Sequence, residues 1–171
     1  MPAKKTSAPS AGGQPPRKAP VPAIKVIAES RKARFDYHLD ERVEAGLALT
    51  GTEIKAVREG RANLGEGYAR IAGGEAWLFN VHIAPYSQGG RYNHEPLRPR
   101  KLLLHRKEIV LLAGRVSEKG YTLVPTRLYL KRGRAKVEIA LARGKKSYDK
   151  RETMAKQDAQ REMGRALRKR G

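Results

Sequence analysis

The chain has 171 residues, no cysteine and a formal net charge of +20, with 37 Lys and Arg against 17 Asp and Glu. This length suits one domain with tails, and the lack of cysteine excludes disulfide scaffolds, thiolate zinc sites and a cysteine nucleophile. The apolar runs are far shorter than the ~18 residues that a transmembrane helix needs. So large a positive charge predicts a polyanionic partner, with nucleic acid ahead of an anionic membrane surface. The composition also fits a reducing cytoplasm, where we expect the protein to act.

Residues 1–23, which we call the arm, contain six of the ten prolines and four basic residues. A segment of this composition cannot bury enough apolar surface to offset its ordering entropy. It also lacks the apolar core of a secretory signal. The sequence therefore predicts a disordered basic arm.

Residues 24–143 have the alternating pattern of strands. The alternation is clear from Phe35 to Leu49, and a short helix then opens near Thr52 and ends at Gly60. The basic residues just before Phe35 are expected to precede the first strand.

A hairpin, a long loop and a second helix come next. Two strands flank the turn at Gly73-Gly74, and the second of them places Trp77 and Phe79 in the predicted core. Residues 84–100 contain three prolines and two adjacent glycines, which predicts a loop. The helix that follows is expected to end at Gly114.

Two long strands, 121–130 and 135–142, complete the pattern around a turn at Arg132-Gly133. Many antiparallel strands with a few short helices predict a mainly-β fold. We expect residues 24–143 to form an OB-type closed antiparallel β-barrel that binds RNA.

Residues 144–171, which we call the tail, carry ten basic and four acidic residues. A helical apolar face can be traced through Met154, Ala155, Ala159, Met163 and Leu167. This face is too thin to hold a helix on the barrel, and isolated helices of this length are marginal. We therefore expect a tail that is loose when free and becomes helical on binding an anionic partner. Without Trp or Phe, the face is poorly suited to a membrane surface.

The residue inventory disfavours catalysis and metal binding. The run Gly144 to Ser147 lacks the upstream glycine of a phosphate loop, and no G-x-S-x-G motif occurs. Asp40 and Glu41 are better explained as solvated turn residues than as a general-acid pair. The four histidines have no ligand spacing: His38, His82, His94 and His105. We expect no enzyme activity, no catalytic residue, no cofactor and no metal.

Basic residues recur in three places on the predicted barrel. They are Arg31, Lys32 and Arg34 before the first strand, Arg91, Arg98, Arg100 and Lys101 along the loop, and Lys131, Arg132, Arg134 and Lys136 around the last turn. One such run alone could be a solvated surface, but three in a chain of this charge favour a surface that binds phosphates. The loop residues Tyr92 and His94 are placed to stack on unpaired RNA bases.

Four linked motifs identify a family resemblance. In chain order they are Glu44-Ala45-Gly46-Leu47, Gly51-Thr52-Glu53-Ile54-Lys55, Arg100-Lys101-Leu102-Leu103-Leu104-His105, and Gly144-Lys145-Lys146 followed by Asp149-Lys150-Arg151. In order and separation, these motifs resemble the SsrA-binding protein (SmpB) family over roughly residues 24–152. The sequence departs from the family in its long arm, and at Ser30 and Phe35, where the family more often has Asn and His.

The resemblance implies an OB-type barrel that binds the tRNA-like domain of transfer-messenger RNA (tmRNA). Family members escort this RNA, alanylated and with elongation factor Tu·GTP, to ribosomes stalled without a stop codon. The factor is an indirect partner through the RNA, and the protein is expected to be a monomer. The tail is implied to enter the empty mRNA channel near the small-subunit decoding centre and become helical. Translation then switches to the tag-coding frame of the RNA, and the product is marked for proteolysis.

The resemblance also implies roles for single residues. Those matching contacts to the tRNA-like domain are Glu44, Leu103 and Lys136. Those matching the tail are Lys145 and Lys146, which would follow the ribosomal RNA backbone, and Asp149, Lys150 and Arg151, which would serve accommodation. From the residues alone, Leu103 could equally be core. Glu44 could accept from a base amino group or orient a neighbouring cation.

Two other classes of function stay open from the residues. A general ribosomal protein or RNA chaperone would share the charge, barrel and tail, and would differ by binding many structured RNAs alike. A phosphoinositide or membrane-surface binder is the third class, disfavoured by the weak apolar face of the tail.

Overall fold

The structure, a computed structural model, describes residues 24–118 and 120–169. The helices in these parts are α1 Arg31–Asp36, α2 Gly51–Arg58, α3 Arg106–Ser117 and α4 Ser147–Lys169, with a single 3₁₀ turn at Gly90–Tyr92. The strands are β1 Ile24–Glu29, β2 Tyr37–Leu47, β3 Ala62–Asn63, β4 Tyr68–Ala72, β5 Glu75–Phe79, β6 His82–Ile83, β7 Arg100–Leu103, β8 Tyr121–Lys131 and β9 Arg134–Gly144. The arm lies outside the described residues.

The main sheet closes into a ring. Its strands run in the order β1-β8-β4-β5-β7-β2-β9, and an additional β8–β9 pairing joins β9 back to β8. Neighbouring strands are antiparallel throughout. The small β3–β6 pair lies outside this ring. The predicted mainly-β fold with a closed antiparallel barrel is confirmed.

The hairpin β8–β9 supplies much of the core because alternate side chains of both strands point inward. Leu128, Val137 and Ile139 are almost completely buried, and each contributes about 1.5–3 kcal/mol to stability by leaving water. The two-residue turn adopts positive φ at both Arg132 (51°) and Gly133 (75°). This conformation matches the right-handed twist of the flanking strands, so the turn forms where the sequence predicted it.

The beginning of the barrel differs from the prediction. Arg31–Asp36 is a short helix, although the alternation from Phe35 predicted a strand, and β1 was not predicted. Ser30 caps this helix by accepting a hydrogen bond from the backbone N–H of Ala33 at 3.1 Å. The buried Ala33 side chain fixes the helix on the sheet, so one cap and one tertiary contact outweigh a weak periodicity.

Two further expectations are wrong. Gly114 does not end α3, which continues to Ser117; its φ is not positive, so it does not adopt the left-handed conformation of a glycine that ends a helix. On β5, Ala76 and Leu78 face the core, whereas Trp77 and Phe79 are only partly buried on the other face. The alternating pattern predicts that these residues form a strand, but it does not show which of the two faces of the strand is buried.

The tail forms α4 in the chain alone, whereas helix formation was expected on binding. As expected, its apolar face does not hold it to the barrel, since Met154 and Met163 are more than half exposed. Polar contacts at the base of α4, which composition does not reveal, join it to the barrel instead.

Candidate nucleic-acid interface

Three residues named by the sequence analysis lie in one row across three strands. Gly46 on β2 pairs with Leu103 on β7 and with Lys136 on β9. A Cβ atom at Gly46 would lie 3.1 Å from the Leu103 Cβ, so the absence of a side chain lets Leu103 lie against β2. The Leu103 residue is 55% exposed, while Leu102 beside it is buried. Leu103 is therefore a surface residue and not part of the core.

This row forms the middle of a shallow groove of about 390 Å³. Its lining combines small and apolar residues with two cations: Gly46, Leu47, Leu49, Ile54, Leu103, Gly133, Arg134, Ala135 and Lys136. A nucleoside could pack on the apolar part while its phosphates meet the cations. An exposed leucine beside lysine and arginine suits such a ligand better than it suits bulk water.

Glu44 organises the cations at this end of the barrel. Its carboxylate accepts hydrogen bonds from the Tyr129 hydroxyl and the Lys131 ammonium, the latter at 2.9 Å, and lies 3.5 Å from the Lys136 Nζ. The hydrogen bond from Tyr129, followed by that from Lys131, lowers the pKa of Glu44. The carboxylate is thus charged at neutral pH and holds two lysines in place. This geometry favours the orienting role over a direct contact to a base.

The remaining basic candidates of this region differ in how they are paired. Arg132 and Arg134 are exposed at the β8–β9 turn, and no carboxylate of the described residues lies within 4 Å of either. Lys101 forms an ion pair with Glu75 across β5 and β7. The two turn arginines are therefore better placed than Lys101 to bind phosphate.

The two aromatic candidates of the long loop have different environments. Tyr92 is 84% exposed, so its ring can stack on a base. The His94 ring is partly buried, and both of its nitrogens have partners, with Nδ1 3.0 Å from Thr52 Oγ1 and Nε2 3.0 Å from the Ile83 carbonyl. The predicted stacking of His94 does not fit this geometry, because the ring is already used to fix the loop.

A buried ion network that the sequence analysis missed holds the same loop. Glu53 has no exposed surface and accepts hydrogen bonds from Arg98, Arg100 and the Thr50 backbone N–H. The fully buried Arg100 also donates to the Val81 carbonyl at 2.6 Å. Burial alone would raise the pKa of Glu53, but the hydrogen bonds from Arg98, Thr50 and Arg100 together lower it to about 2. Arg98 and Arg100 are therefore structural residues; a cluster of basic residues in the sequence does not distinguish buried from exposed members.

The tail begins at the other end of the barrel. His38 and Gly46 are eight residues apart on β2, which separates them by roughly 25 Å. Beside His38, α1 and α4 form a cleft of about 660 Å³ lined by Arg31, Lys32, Arg34, Phe35, Gln157 and Arg161. Arg34 is exposed there, with its guanidinium 4.0 Å from Glu29.

The five tail residues singled out by sequence divide into two sets. Lys146 and Arg151 are exposed, as expected of RNA contacts. The others contact the barrel: Lys145 donates to the Arg34 carbonyl at 3.1 Å, Asp149 pairs with His38, and Lys150 pairs with Asp36. Because the Lys145 ammonium already donates to the barrel, it is less available to contact an RNA backbone than Lys146 and Arg151 are.

Two negative findings concern residues 24–118 and 120–169. No three His, Asp or Glu side chains group there as metal ligands, and no helix there is long and apolar enough to cross a bilayer.

Comparison with known proteins identifies the family. The sequence model of the family described as SmpB protein matches residues 27–169. The chain belongs to the SmpB family. An SsrA-binding protein from Roseiflexus castenholzii is 63% identical over 147 residues, covering 85% of this chain and 93% of the relative. One from Carboxydothermus hydrogenoformans is 61% identical over 146 residues, covering 85% and 98%.

The fold of the chain is also similar to that of a solved structure. It is described as "tmRNA-SmpB: a journey to the center of the bacterial ribosome" and is 50% identical, with a TM-score of 0.60. The match covers 70% of this chain and 84% of that chain. The barrel of this SmpB-family chain is thus one that has been seen in a solved structure.

Proposed function

We propose that this SmpB-family chain binds the tRNA-like domain of tmRNA and delivers it to stalled ribosomes for trans-translation. The observation that carries the proposal is the row Leu103–Gly46–Lys136, which lines a surface groove in a chain about 60% identical to proteins named for SsrA binding. The chain acts by binding and positioning RNA, without a catalytic step of its own.

The barrel end around this row is the proposed RNA-capture site. Lys136 and Arg134 meet backbone phosphates, and Leu103 packs on an exposed nucleoside. Glu44 holds the ammonium groups of Lys131 and Lys136 near each other and reduces their mutual repulsion. Arg132 at the turn and Tyr92 on the fixed loop extend the contact by charge and by stacking.

The tail is the proposed ribosome-binding element. It begins roughly 25 Å from the groove, so both ends of the molecule can bind RNA at once. Its exposed cations suit the mRNA channel and decoding centre of the small subunit, whose walls are RNA. Elongation factor Tu then acts through the tmRNA, and one copy of the chain suffices for each RNA.

Truncation after Arg143 tests this division of labour. We expect the truncated chain to bind the tRNA-like domain with unchanged affinity, because the groove is intact, and to lose tagging of stalled nascent chains. A chain that lacks only residues 170–171 is the matched control and should retain both activities. Equal loss of binding and tagging on truncation would show that barrel and tail do not divide the work in this way.

A further inference from the structure

The base of α4 is joined to the barrel by a group of polar contacts. The Lys150 Nζ lies 2.7 Å from the Asp36 Oδ1, and the His38 Nε2 lies 3.2 Å from the Asp149 Oδ2. The Lys145 backbone N–H donates to the Asp36 carbonyl at 2.9 Å. We call Asp36, His38, Lys145, Asp149 and Lys150 the clamp.

Two residues of the clamp act on both sides of the junction. Asp149 accepts from the Lys146 backbone N–H at 3.2 Å, which caps the first turn of α4, while it also pairs with His38. The Lys145 ammonium donates to the Arg34 carbonyl of α1 and to the Thr153 hydroxyl of α4. The start of the helix and its attachment to the barrel are therefore fixed by the same side chains.

In the part of the chain that the structure describes, few contacts other than the clamp join the helix to the barrel. Its next ion pairs, Glu152–Lys156 and Asp158–Arg161, join residues of α4 to each other. In the cleft, Arg161 of α4 faces a wall of α1 that carries Arg31 and Arg34, and like charges across a cleft repel. The clamp must hold the helix against this repulsion.

The direction set at the base has a large effect at the far end. A helix of 23 residues is about 35 Å long. A rotation of about 10° at its base moves its far end by about 6 Å, as much as one helical turn. A small change in the clamp would therefore shift the exposed cations of α4 by several ångströms relative to the RNA that they contact.

We propose that Asp36, His38 and Lys145 are positioning residues: with Asp149 and Lys150 they fix the direction in which α4 leaves the barrel and thereby align the tail on the ribosome. This inference rests on the proposed function. It assigns Asp149 and Lys150 to intramolecular contacts, while Lys146 and Arg151 stay free to contact RNA.

A charge exchange between Asp36 and Lys150 tests the proposal. We expect Asp36→Lys and Lys150→Asp each to lower the rate of tagging about tenfold, because each leaves two like charges side by side. The double variant restores the ion pair and should tag within about twofold of the original chain. Lysine suits the C-terminus of α1, so Asp36→Lys is compatible with folding. All three variants should bind the tRNA-like domain normally, since the groove is remote.

Arg151 provides the matched control. Arg151→Asp removes an exposed neighbouring cation that makes no ion pair with the described barrel, and adding Asp36→Lys should not rescue it. If the Asp36/Lys150 double variant tags no better than the poorer single variant, Lys150 acts through a contact with the ribosome and the proposal is wrong.

A distance measurement separates failure of the clamp from failure of the proposed function. The chain has no cysteine, so Ser87→Cys and Gln160→Cys place two labels, one on the barrel and one on α4, both at exposed positions. We expect the single charge variants to broaden the distribution of label distances and the double variant to narrow it again. This readout needs neither RNA nor ribosome. An unchanged distribution in all variants would overturn the clamp even if tmRNA binding and tagging are normal.

Discussion

At the scale of single residues, Glu44 is an acidic residue that positions the basic side chains around it. Its carboxylate lies within reach of the ammonium groups of Lys131 and Lys136 and accepts from Tyr129. Without it, the two lysines would repel each other and turn away into solvent. The family resemblance pointed to this residue, but only the structure shows that it orients cations.

Lys136→Ala should weaken binding of the tRNA-like domain by about 1–3 kcal/mol, because a phosphate contact of the groove is lost. Binding measured by titration at fixed salt checks this value. Lys107→Ala removes an exposed lysine of α3 that does not line the groove and should change affinity much less. Equal effects of the two variants would mean that only the total charge matters.

Gly46→Val tests the shape of the groove separately from its charge. The new Cβ would meet the Leu103 Cβ at 3.1 Å, and the two methyl groups would fill the space beside it. A strand accepts valine well, so we expect a folded protein whose affinity for the tRNA-like domain falls about tenfold, or about 1.4 kcal/mol.

The matched control is Gly144→Val, at a strand end where the added Cβ has open space. It should bind the RNA as the unchanged chain does. Unchanged affinity of Gly46→Val in the same titration would show that the ligand does not enter the groove.

At the scale of elements, the long loop is held between α2 and β7. Glu53 of α2 forms ion pairs with Arg98 of the loop and with Arg100 of β7. Glu53 and Arg100 are fully buried, whereas Arg98 is partly exposed. Removing either buried partner therefore leaves the other charge uncompensated in a medium of low dielectric constant. The loop presents Tyr92 to solvent from this rigid support.

Glu53→Gln should reduce the free energy of unfolding by about 3–5 kcal/mol, because the Arg100 guanidinium stays buried without its carboxylate. Glu75→Gln, which breaks the exposed pair with Lys101, should cost about 0–1 kcal/mol. Urea unfolding at pH 7 measures both. If the two variants lowered the free energy of unfolding by similar amounts, the buried network would not stabilise the fold more than an exposed ion pair does.

The same network predicts a pH dependence. The pKa of Glu53 in the folded protein is about 2, below its ordinary value of 4.5. Its stabilisation is therefore complete above about pH 4.5 and is lost as the pH falls from there through about 2. Unfolding measured across this window should show a steeper loss for the unchanged chain than for Glu53→Gln. If the free energy of unfolding fell equally with pH in both proteins, the pKa of Glu53 would not be lowered in the folded state.

The elements also show what the sequence could predict. The hairpin β8–β9 was predicted because its alternation is long and its turn contains Gly133, which adopts a positive φ at no steric cost. Helix α1 was not, because it depends on the Ser30 cap and on burial of Ala33, and a helix of six residues has almost no periodicity of its own.

For the candidate site, the sequence predicted the types of residue that could bind RNA better than it predicted which of them are exposed. Glu44, Leu103 and Lys136 were named because they match positions of the family. They lie on β2, β7 and β9, which pair with one another in a way that no local pattern reveals. His94, Arg98 and Arg100 have the same residue types as RNA-binding groups, yet tertiary hydrogen bonds use them internally. Only the fold distinguishes these two cases.

At the scale of the whole molecule, we propose that both ends of the barrel bind RNA. One end carries the groove around Gly46, and the other directs the tail through the clamp. The net charge of +20 adds a general attraction to RNA at both ends. Selective capture must then come from the shape and apolar contacts of the groove, since charge alone does not distinguish one folded RNA from another.

The most direct test of this claim is a salt series of binding to the tRNA-like domain of tmRNA, with an ordinary tRNA as competitor. Neutralisation of ~6 phosphates predicts a slope of about −5 in log K against log salt concentration for a duplex-like site. We predict that the preference for the tRNA-like domain persists at high salt, where the electrostatic attraction is weak. If the affinities for both RNAs fall together and the preference disappears, charge alone drives binding, and the chain acts as a general RNA chaperone.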